Sequence, residues 1–225
     1  MQYIKGLDAF DGRNQTAVTL GKFDGLHRGH QKLLNRIMKY AQKEDCDSVV
    51  CAFDMDRDCL MTNEERRAFL EDKVDYLIEI PFTKELMEME AEKFIEEILY
   101  KKLHASHIVV GTDFNFGHEK RGNHQMLEKY AAKYGYTVDV VEKAYYKDRE
   151  ISSTYIRELL LDGNVPLANE LLGYPYEITS VVEHGQQLGR TLGFPTMNLA
   201  PQEKKILPKY GVYACRVLVD GVWYG

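Results

Sequence analysis

The chain has 225 residues, of which 44% are hydrophobic, and it carries a formal net charge of −6 at pH 7. This length and composition allow a substantial buried core, enough for one large domain and part of a second. The acidic balance argues against a dedicated nucleic-acid-binding protein, because affinity for a polyanion depends on clustered lysines and arginines.

Cysteine spacing and hydropathy both favour a protein that stays in the cytoplasm. Cys46, Cys51, Cys59 and Cys215 form no C-x-x-C pair and no metal-ligand pattern, so we expect reduced thiols rather than disulfides or a zinc site. No apolar run reaches signal-peptide length at the N-terminus, and none approaches the roughly 18 residues of a membrane span. We therefore expect no membrane partner.

Up to residue 141 the chain alternates between strand and helix patterns. Apolar residues recur at helical spacing over residues 26–42 and 91–103. Alternating strands and helices indicate βαβ units, so the sequence predicts an α/β fold with a Rossmann-like, doubly wound parallel sheet. The predicted strands are residues 16–20, 48–53, 75–80, 107–110 and 136–141.

The remaining residues show a different pattern. Two short helices are predicted at 152–161 and 166–172, and strand-like segments follow at 177–183 and 212–219. We interpret this as one domain at 1–173 and an incomplete antiparallel β-barrel domain at 174–225. Asp220-Gly221 predicts a hairpin turn near the end. Such a small sheet with an open edge is unfavourable alone, so we expect the natural chain to continue past Gly225.

The strongest chemical pattern is GKFDGLHRGH at residues 21–30, where the first strand gives way to the first helix. A helix N-terminus at the carboxyl end of a parallel strand offers free N–H groups to phosphate. Gly21, Gly25 and Gly29 would let the backbone approach a phosphate closely. His27 and His30 share a helix face and can both donate to phosphoryl oxygens. Capping and packing would explain two histidines alone, but the flanking glycines favour a phosphate site.

Two later strings also combine polar groups suited to a ligand. GTDFNFG at residues 111–117 follows the fourth predicted strand, and its acidic, amide and aromatic side chains could hold an aromatic ring with a polar edge. ISSTYIR at residues 151–157 places three hydroxyls before a helix and Arg157 one turn later, which suits phosphate. The simpler explanations are a hydrophobic turn and a well-capped helix.

The H-x-G-H string resembles the signature of the nucleotidyltransferase superfamily related to class I tRNA synthetases. Residues 21–30, G-x-D-F-x-F-G and I-S-S-T-x-I-R together resemble the N-terminal domain of the bacterial bifunctional riboflavin kinase/FAD synthetases. The resemblance implies transfer of AMP from ATP to FMN, giving FAD and pyrophosphate, with Mg²⁺ offsetting phosphate charge. It also implies ATP, FMN and riboflavin as ligands.

The resemblance assigns roles to individual residues. It implies catalytic roles for His27, His30, Ser153 and Arg157, with the 151–157 string stabilising the departing pyrophosphate. It implies nucleotide binding by Gly21, Phe23, Asp24, Gly25, Gly29, Ser152 and Thr154, and flavin binding by Asp113, Phe114, Asn115 and Phe116.

Residues 185–199 resemble the opening of the riboflavin kinase barrel. There the resemblance implies ATP and Mg²⁺ binding, with Thr196 and Asn198 as metal ligands, whose oxygens suit a hard cation. The later strands and the acidic general base are absent from these 225 residues, so kinase activity is expected only with a complete C-terminal domain. The implied kinase residues are Gly189, Arg190, Gly193, Thr196 and Asn198.

Two alternatives stay open, and one departure from the family pattern motivates the second of them. Where the family commonly shows Phe-x-Pro-His-Pro, this chain has Phe53-Asp54-Met55-Asp56-Arg57, which makes that side of the nucleotide pocket acidic. One alternative is a nucleotidyltransferase acting on another small phosphate, such as a pantetheine or a nicotinamide mononucleotide. The other is a flavin- or nucleotide-binding protein without turnover.

Overall fold

The chain folds around a sheet of six strands, and every neighbouring pair in it is parallel. The computed structural model describes residues 1–54, 58–186, 188–194 and 196–225. The strands are β1 (Gln2–Lys5), β2 (Gln15–Gly21), β3 (Cys46–Phe53), β4 (Tyr76–Ile80), β5 (Ala105–Gly111), β6 (Asn115–Phe116), β7 (Gly122–Asn123), β8 (Thr137–Val141), β9 (Tyr145–Tyr146), β10 (Arg149–Glu150), β11 (Ser180–Glu183), β12 (Asn198–Pro201), β13 (Val217–Val219) and β14 (Val222–Tyr224).

The helices lie mainly between the strands of this sheet. Short 3₁₀ turns occur at Leu7–Ala9 and His118–Lys120, and a π-helix at Phe94–Lys102 continues α4. The α-helices are α1 (Arg28–Lys43), α2 (Asn63–Leu70), α3 (Lys84–Glu88), α4 (Ala91–Lys93), α5 (His124–Tyr134), α6 (Ser153–Leu161), α7 (Val165–Leu172) and α8 (Leu188–Thr191).

The sheet order is β1-β4-β3-β2-β5-β8, which confirms the predicted Rossmann-like fold. From β2 the chain runs to β3 and β4 on one side, then returns to place β5 on the other side of β2. The direction of winding therefore reverses between β2 and β5. In open α/β sheets the ligand crevice lies at this reversal, outside the carboxyl ends of the strands. Here those ends are Gly21 and Gly111.

Both faces of the sheet are covered. Because successive strand residues point to opposite sides, each strand contributes side chains to two cores. Ala17 of β2 packs in a core with Leu34 and Ile37 of α1. Its neighbour Val18 packs in a second core with Ile95 on the opposite face. A third core forms where α6 and α7 meet Leu60 and Ile206. The molecule is thus a three-layer sandwich with α6 and α7 attached at one end.

Two sequence expectations for the sheet and its helices need correction. Strand β1 was not predicted, because its four residues at a sheet edge include only one buried side chain and show no period. Residues 91–103 were predicted as one regular helix. Beyond Lys93 the helix has π geometry, and the amide of Leu103 donates to the carbonyl of Ile98.

The C-terminal segment forms two separate antiparallel ribbons, β11 with β12 and β13 with β14. The predicted strand at 212–219 is present only over Val217–Val219. The predicted hairpin turn is confirmed: Asp220 has φ 48° and Gly221 has φ 79°, as a two-residue turn between strands requires. Apolar side chains of both ribbons are exposed, as expected of an incomplete barrel; examples are Val181, Val182, Leu218 and Trp223.

Gly117, at the end of the loop after β5, tests the close packing beside the sheet. Its φ of 72° and ψ of 175° lie in a region almost reserved for glycine, and an added Cβ would lie 2.7 Å from Ala91 Cα. We expect Gly117→Ala to lower the free energy of unfolding by roughly 3 kcal/mol or more, measured by urea denaturation. Gly135→Ala is the matched control, with φ 76° and open space around its Cβ, and should cost about 1 kcal/mol. Equal losses would contradict this packing.

Candidate active site at the sheet reversal

The turn between β2 and α1 adopts a strained backbone. Phe23 has φ 47° and Leu26 has φ 38°, a left-handed conformation that non-glycine residues rarely adopt, and both side chains are fully buried. Gly25 has φ 80°, and a Cβ there would lie 2.9 Å from Leu60 Cδ1. Strain of this kind persists only where the surroundings enforce it, and it concentrates at functional sites. The turn delivers His27 to the N-cap of α1.

His27 and His30 lie face to face at the start of α1. Their ring centroids are 3.8 Å apart with an interplanar angle of 23°, and Phe23 packs edge-on against His30 at 5.2 Å. A Cβ on Gly29 would lie 3.0 Å from His27 Cε1, so glycine makes room for that ring. Both Nδ1 atoms are buried, and neither has a hydrogen-bond partner among the described residues. Unpartnered buried nitrogens of this kind are suited to a ligand.

The two imidazoles are held in the neutral form. Burial lowers the pKa of His27 to about 4. Burial, and then the neighbouring His27, lower the pKa of His30 well below its usual value. Protonating both stacked rings would place two positive charges next to each other, which is costly unless an anion is bound. At neutral pH each ring therefore offers one N–H donor, and a bound polyphosphate would favour protonation.

The start of α6 lies directly against the β2–α1 turn. The hydroxyl of Ser153 donates to the carbonyl of Asp24 at 2.8 Å. The guanidinium of Arg157 pairs with the Asp24 carboxylate at 3.0 Å, and only 2% of Asp24 is exposed. The histidine string and the hydroxyl-rich string, distant in sequence, thus meet at one place. The sequence interpretation depends on that proximity.

Several of the implied nucleotide ligands have structural partners here. The hydroxyl of Ser152 accepts from the amide of Tyr155 at 3.2 Å as the N-cap of α6, whereas Thr154 is exposed. The Asp24 carboxylate also accepts from the amide of Leu60 at 2.7 Å. A Cβ on Gly21 would make only ordinary contact, so packing does not require glycine there. Nucleotide binding by these residues stays a prediction.

The loop after β5 follows Gly111, at the carboxyl end of the strand next to β2. Phe116 is buried and contacts Phe94 with ring centroids 5.3 Å apart, so its ring belongs to the core. Phe114 stacks on Phe116 at 5.6 Å and is only partly buried. Asp113 pairs with Lys143 at 3.1 Å, and the amide of Asn115 donates to the Asp113 carbonyl. A ring of a ligand could therefore meet Phe114, with Asp113 on its polar side.

The kinase-like loop is partly assembled. The carbonyl of Gly189 accepts from the amide of Phe194, and a Cβ on Gly189 would overlap the Phe194 carbonyl and lie 3.3 Å from Thr196 Oγ1. The side-chain amide of Asn198, at the start of β12, lies over Gly185 instead. Gly193 has φ 81° and Arg190 is exposed. Of the implied kinase residues, Gly189 and Thr196 thus lie close together, whereas the side chain of Asn198 lies elsewhere.

Sequence reasoning missed a second wall of the crevice. A cleft of about 420 Å³ lies beside Asp24, at the carboxyl end of β3. It is lined by Phe53 and Arg66 on one side and by Gln202 and Lys205 from the C-terminal segment on the other. Residues 55–57, part of the departure from the family pattern, lie outside the described residues. One sequence signal was available: Thr62-x-x-Glu65 is a capping-box pattern, and it forms the N-terminus of α2 beside the cleft.

The fold and this crevice define a class of protein: an α/β nucleotidyltransferase with paired histidines at a helix N-terminus. A family model for FAD synthetase matches residues 10–155, and a model for riboflavin kinase matches residues 172–225. The chain belongs to the family of bifunctional riboflavin kinase/FMN adenylyltransferases.

Two relatives carry the name of this family, and a solved structure with a different name shares the fold. The bifunctional riboflavin kinase/FMN adenylyltransferase of Buchnera aphidicola from Schizaphis graminum is 35% identical over 96% of this chain and 73% of its own length. The Escherichia coli K12 enzyme of the same name is 34% identical over 97% and 74%. A Streptococcus pneumoniae crystal structure named a macrolide-efflux protein matches with TM-score 0.88 and 31% identity, covering 99% of this chain and 76% of that one.

All four cysteines are free thiols. Among the described residues, none of the helices combines the length and the hydrophobicity that a membrane-spanning segment requires.

The lowered pKa of His27 predicts how stability depends on pH. In the folded state His27 binds a proton only near pH 4, whereas in the unfolded chain it does so near 6.5. The unfolded state therefore holds more protons between these values, and stability falls as pH drops from 6.5 toward 4, by about 3 kcal/mol from this group. His27→Gln should flatten the profile in urea titrations across that range, whereas the exposed His184→Gln should not. Parallel profiles for wild type and His27→Gln would contradict the assignment.

Proposed function

We propose that the chain transfers AMP from ATP to FMN, forming FAD and releasing pyrophosphate. The single observation that carries this proposal is the meeting of His27 and His30 with Ser153 and Arg157 at the sheet reversal. Hydrogen-bond donors and a fixed cation there face the region where a triphosphate would lie across the N-terminus of α1. Family membership supports the same reaction.

The chemistry is a direct displacement at the α-phosphorus. An oxygen of the FMN phosphate attacks, the new P–O bond forms, and the bond to pyrophosphate breaks with its electron pair leaving on pyrophosphate. No protein nucleophile is needed, so the site acts by position and charge. The N–H groups of His27 and His30 donate to phosphoryl oxygens, and Arg157 stabilises charge on the leaving pyrophosphate.

Asp24 prepares Arg157 for this role. Its carboxylate holds one nitrogen of the guanidinium, and the Arg157 side chain is 21% exposed. A guanidinium has five N–H donors; Nη2 binds Asp24 and the Asp58 carbonyl and Nε is buried, so the Nη1 donors are the ones that could reach phosphate. Since the cation is already oriented before substrate binds, little reorganisation is required in the transition state.

We place the FMN ring against the loop after β5. Phe114 offers a partly exposed aromatic face, and Asp113 with Lys143 offers a polar edge beside it. Phe116 would support Phe114 from beneath rather than touch the ligand, and Asn115 would hold the loop through the Asp113 carbonyl. This arrangement favours a flavin over a smaller phosphate acceptor.

We propose Mg²⁺ as the accompanying cation. The described residues contain no group of three His, Cys, Asp or Glu side chains suited to a metal. Mg²⁺ commonly takes most ligands from water and substrate phosphates and only one or two from protein. Thr196 and Asn198 offer such oxygens in the kinase segment, where the cation would offset phosphate charge.

The C-terminal segment carries the second proposed activity, phosphorylation of riboflavin to FMN. In the described residues its ribbons form separate sheets, so we assign this activity to a complete C-terminal domain. We keep the domain boundary at 173/174, where Gly173 ends α7 in a left-handed conformation. A cytoplasmic location belongs to the same proposal and is supported by the free cysteines.

An FAD-forming assay tests the proposed reaction. The chain incubated with ATP, Mg²⁺ and FMN should yield FAD and an equal amount of pyrophosphate. His30→Ala should lower kcat by roughly a hundredfold, the usual effect of removing one donor to developing charge. His184→Ala, which removes an exposed histidine, is the matched control and should keep the wild-type rate.

Two results would oppose the proposal in different ways. Pyrophosphate release with another acceptor but not with FMN would keep the superfamily and change the substrate. Tight binding of ATP and FMN without any pyrophosphate would favour a protein without turnover.

A further inference from the structure

Lys205 is a buried lysine of the C-terminal segment whose ammonium points into the N-terminal domain. Its Nζ donates to the carbonyl of Leu60 at 2.8 Å and pairs with Glu65 at 2.6 Å. The ring of Tyr176 lies 4.5 Å from the same Nζ. Side-chain exposures of 2% for Lys205 and 6% for Glu65 mean that this pair is shielded from water. Burying a cation so completely is costly, so its partners must be well placed.

The backbone around Lys205 fastens the same part of the N-terminal domain, the 58–62 loop. The amide of Cys59 donates to the carbonyl of Lys204 at 2.8 Å, and the amide of Ile206 donates to the carbonyl of Cys59 at 3.0 Å. Cys59 and Lys205 thus form an isolated parallel bridge. The C-terminal segment therefore fixes the position of this loop.

The 58–62 loop in turn holds the β2–α1 turn. The amide of Leu60 donates to Asp24 Oδ1 at 2.7 Å, and Asp24 Oδ2 accepts from Arg157 at 3.0 Å. Arg157 also donates to the carbonyl of Asp58 at 3.2 Å. A continuous series of hydrogen bonds therefore runs from Lys205 through the Leu60 residue and the Asp24 carboxylate to Arg157. Because the carbonyl and the amide of Leu60 belong to neighbouring peptide groups, the series transmits position through the backbone of this residue.

We propose that Lys205 is a positioning residue for adenylyl transfer, acting through Leu60 and Asp24 to orient the Arg157 guanidinium. This role rests on the proposed function. It means that a residue in the riboflavin kinase segment helps to complete the FAD synthetase site.

Stability alone does not explain the arrangement. The Glu65 carboxylate also accepts from the amides of Thr62 and Thr179, so Lys205 is one of three groups that hold this buried charge. A buried ion pair is commonly replaceable by apolar residues without loss of stability. The bond from Lys205 to the Leu60 carbonyl is the one that reaches toward the site.

The test separates charge burial from positioning. Lys205→Met alone would leave a buried carboxylate beside an apolar side chain, so Glu65 is replaced as well, by glutamine, which can keep the capping box. In the reference variant Glu65→Gln, the lysine loses its counter-charge but keeps the Leu60 carbonyl and the Tyr176 ring as partners. We expect Glu65→Gln/Lys205→Met to have kcat for FAD formation about tenfold below Glu65→Gln, since small displacements of positioning groups cost such factors. KM for FMN should stay within about twofold. Lys209→Met, at an exposed lysine of the same segment, should match wild type.

A cycle with Arg157 distinguishes the proposed route from a general weakening of the fold. With Arg157→Met present, adding Lys205→Met to Glu65→Gln should lower kcat no further, because the group being positioned is gone. The same tenfold loss in that background, or equal kcat for Glu65→Gln with and without Lys205→Met, would overturn the proposal.

Two further outcomes are misfolding of the double variant and lack of activity in the wild-type chain. Should the double variant fail to fold by circular dichroism, Lys205→Arg, which keeps the cation beside Glu65 but alters its reach to Leu60, must lower kcat with KM unchanged. In that case, an unchanged kcat in Lys205→Arg would overturn the proposed role of Lys205. Absence of FAD with the wild-type chain would instead refute the proposed function and this role with it.

Discussion

The buried carboxylate of Asp24 connects three parts of the chain that are far apart in sequence. The two carboxylate oxygens bind Arg157 of α6 and the amide of Leu60. The backbone carbonyl of Asp24 accepts a hydrogen bond from the Ser153 hydroxyl. A carboxylate with so little exposure is stable only with its partners in place, because an uncompensated buried charge is costly. The turn, the start of α6 and the 58–62 loop are therefore held in one mutual arrangement.

The strained β2–α1 turn and the neutral histidine pair depend on that arrangement. Left-handed backbone at Phe23 and Leu26 has a cost that the surrounding packing must offset. In return the turn places two imidazoles at the helix N-terminus, where burial keeps their pKa values low. The donors are thus oriented before any phosphate binds, which is how a site that acts through position and charge lowers a barrier.

Features encoded by residues close together in the sequence could be predicted, whereas contacts between distant residues could not. The βαβ pattern, the His27-x-x-His30 string and the hairpin at Asp220-Gly221 are local, and each was found. The contact of Lys205 with Leu60 joins residues 145 apart and could not be predicted, because nothing near Lys205 identifies its partner. The burial of Phe116 was missed for a similar reason, since its partner Phe94 lies on the preceding helix.

In the proposed reaction, the paired imidazoles and Arg157 act on one triphosphate. The decisive measurement is a crystal structure of the chain with a non-hydrolysable ATP analogue and Mg²⁺. We expect phosphate oxygens within hydrogen-bonding distance of His27, His30 and Arg157, with the Arg157–Asp24 pair retained. A triphosphate bound at another edge of the sheet, or one that touches the histidines while Arg157 points elsewhere, would contradict the account.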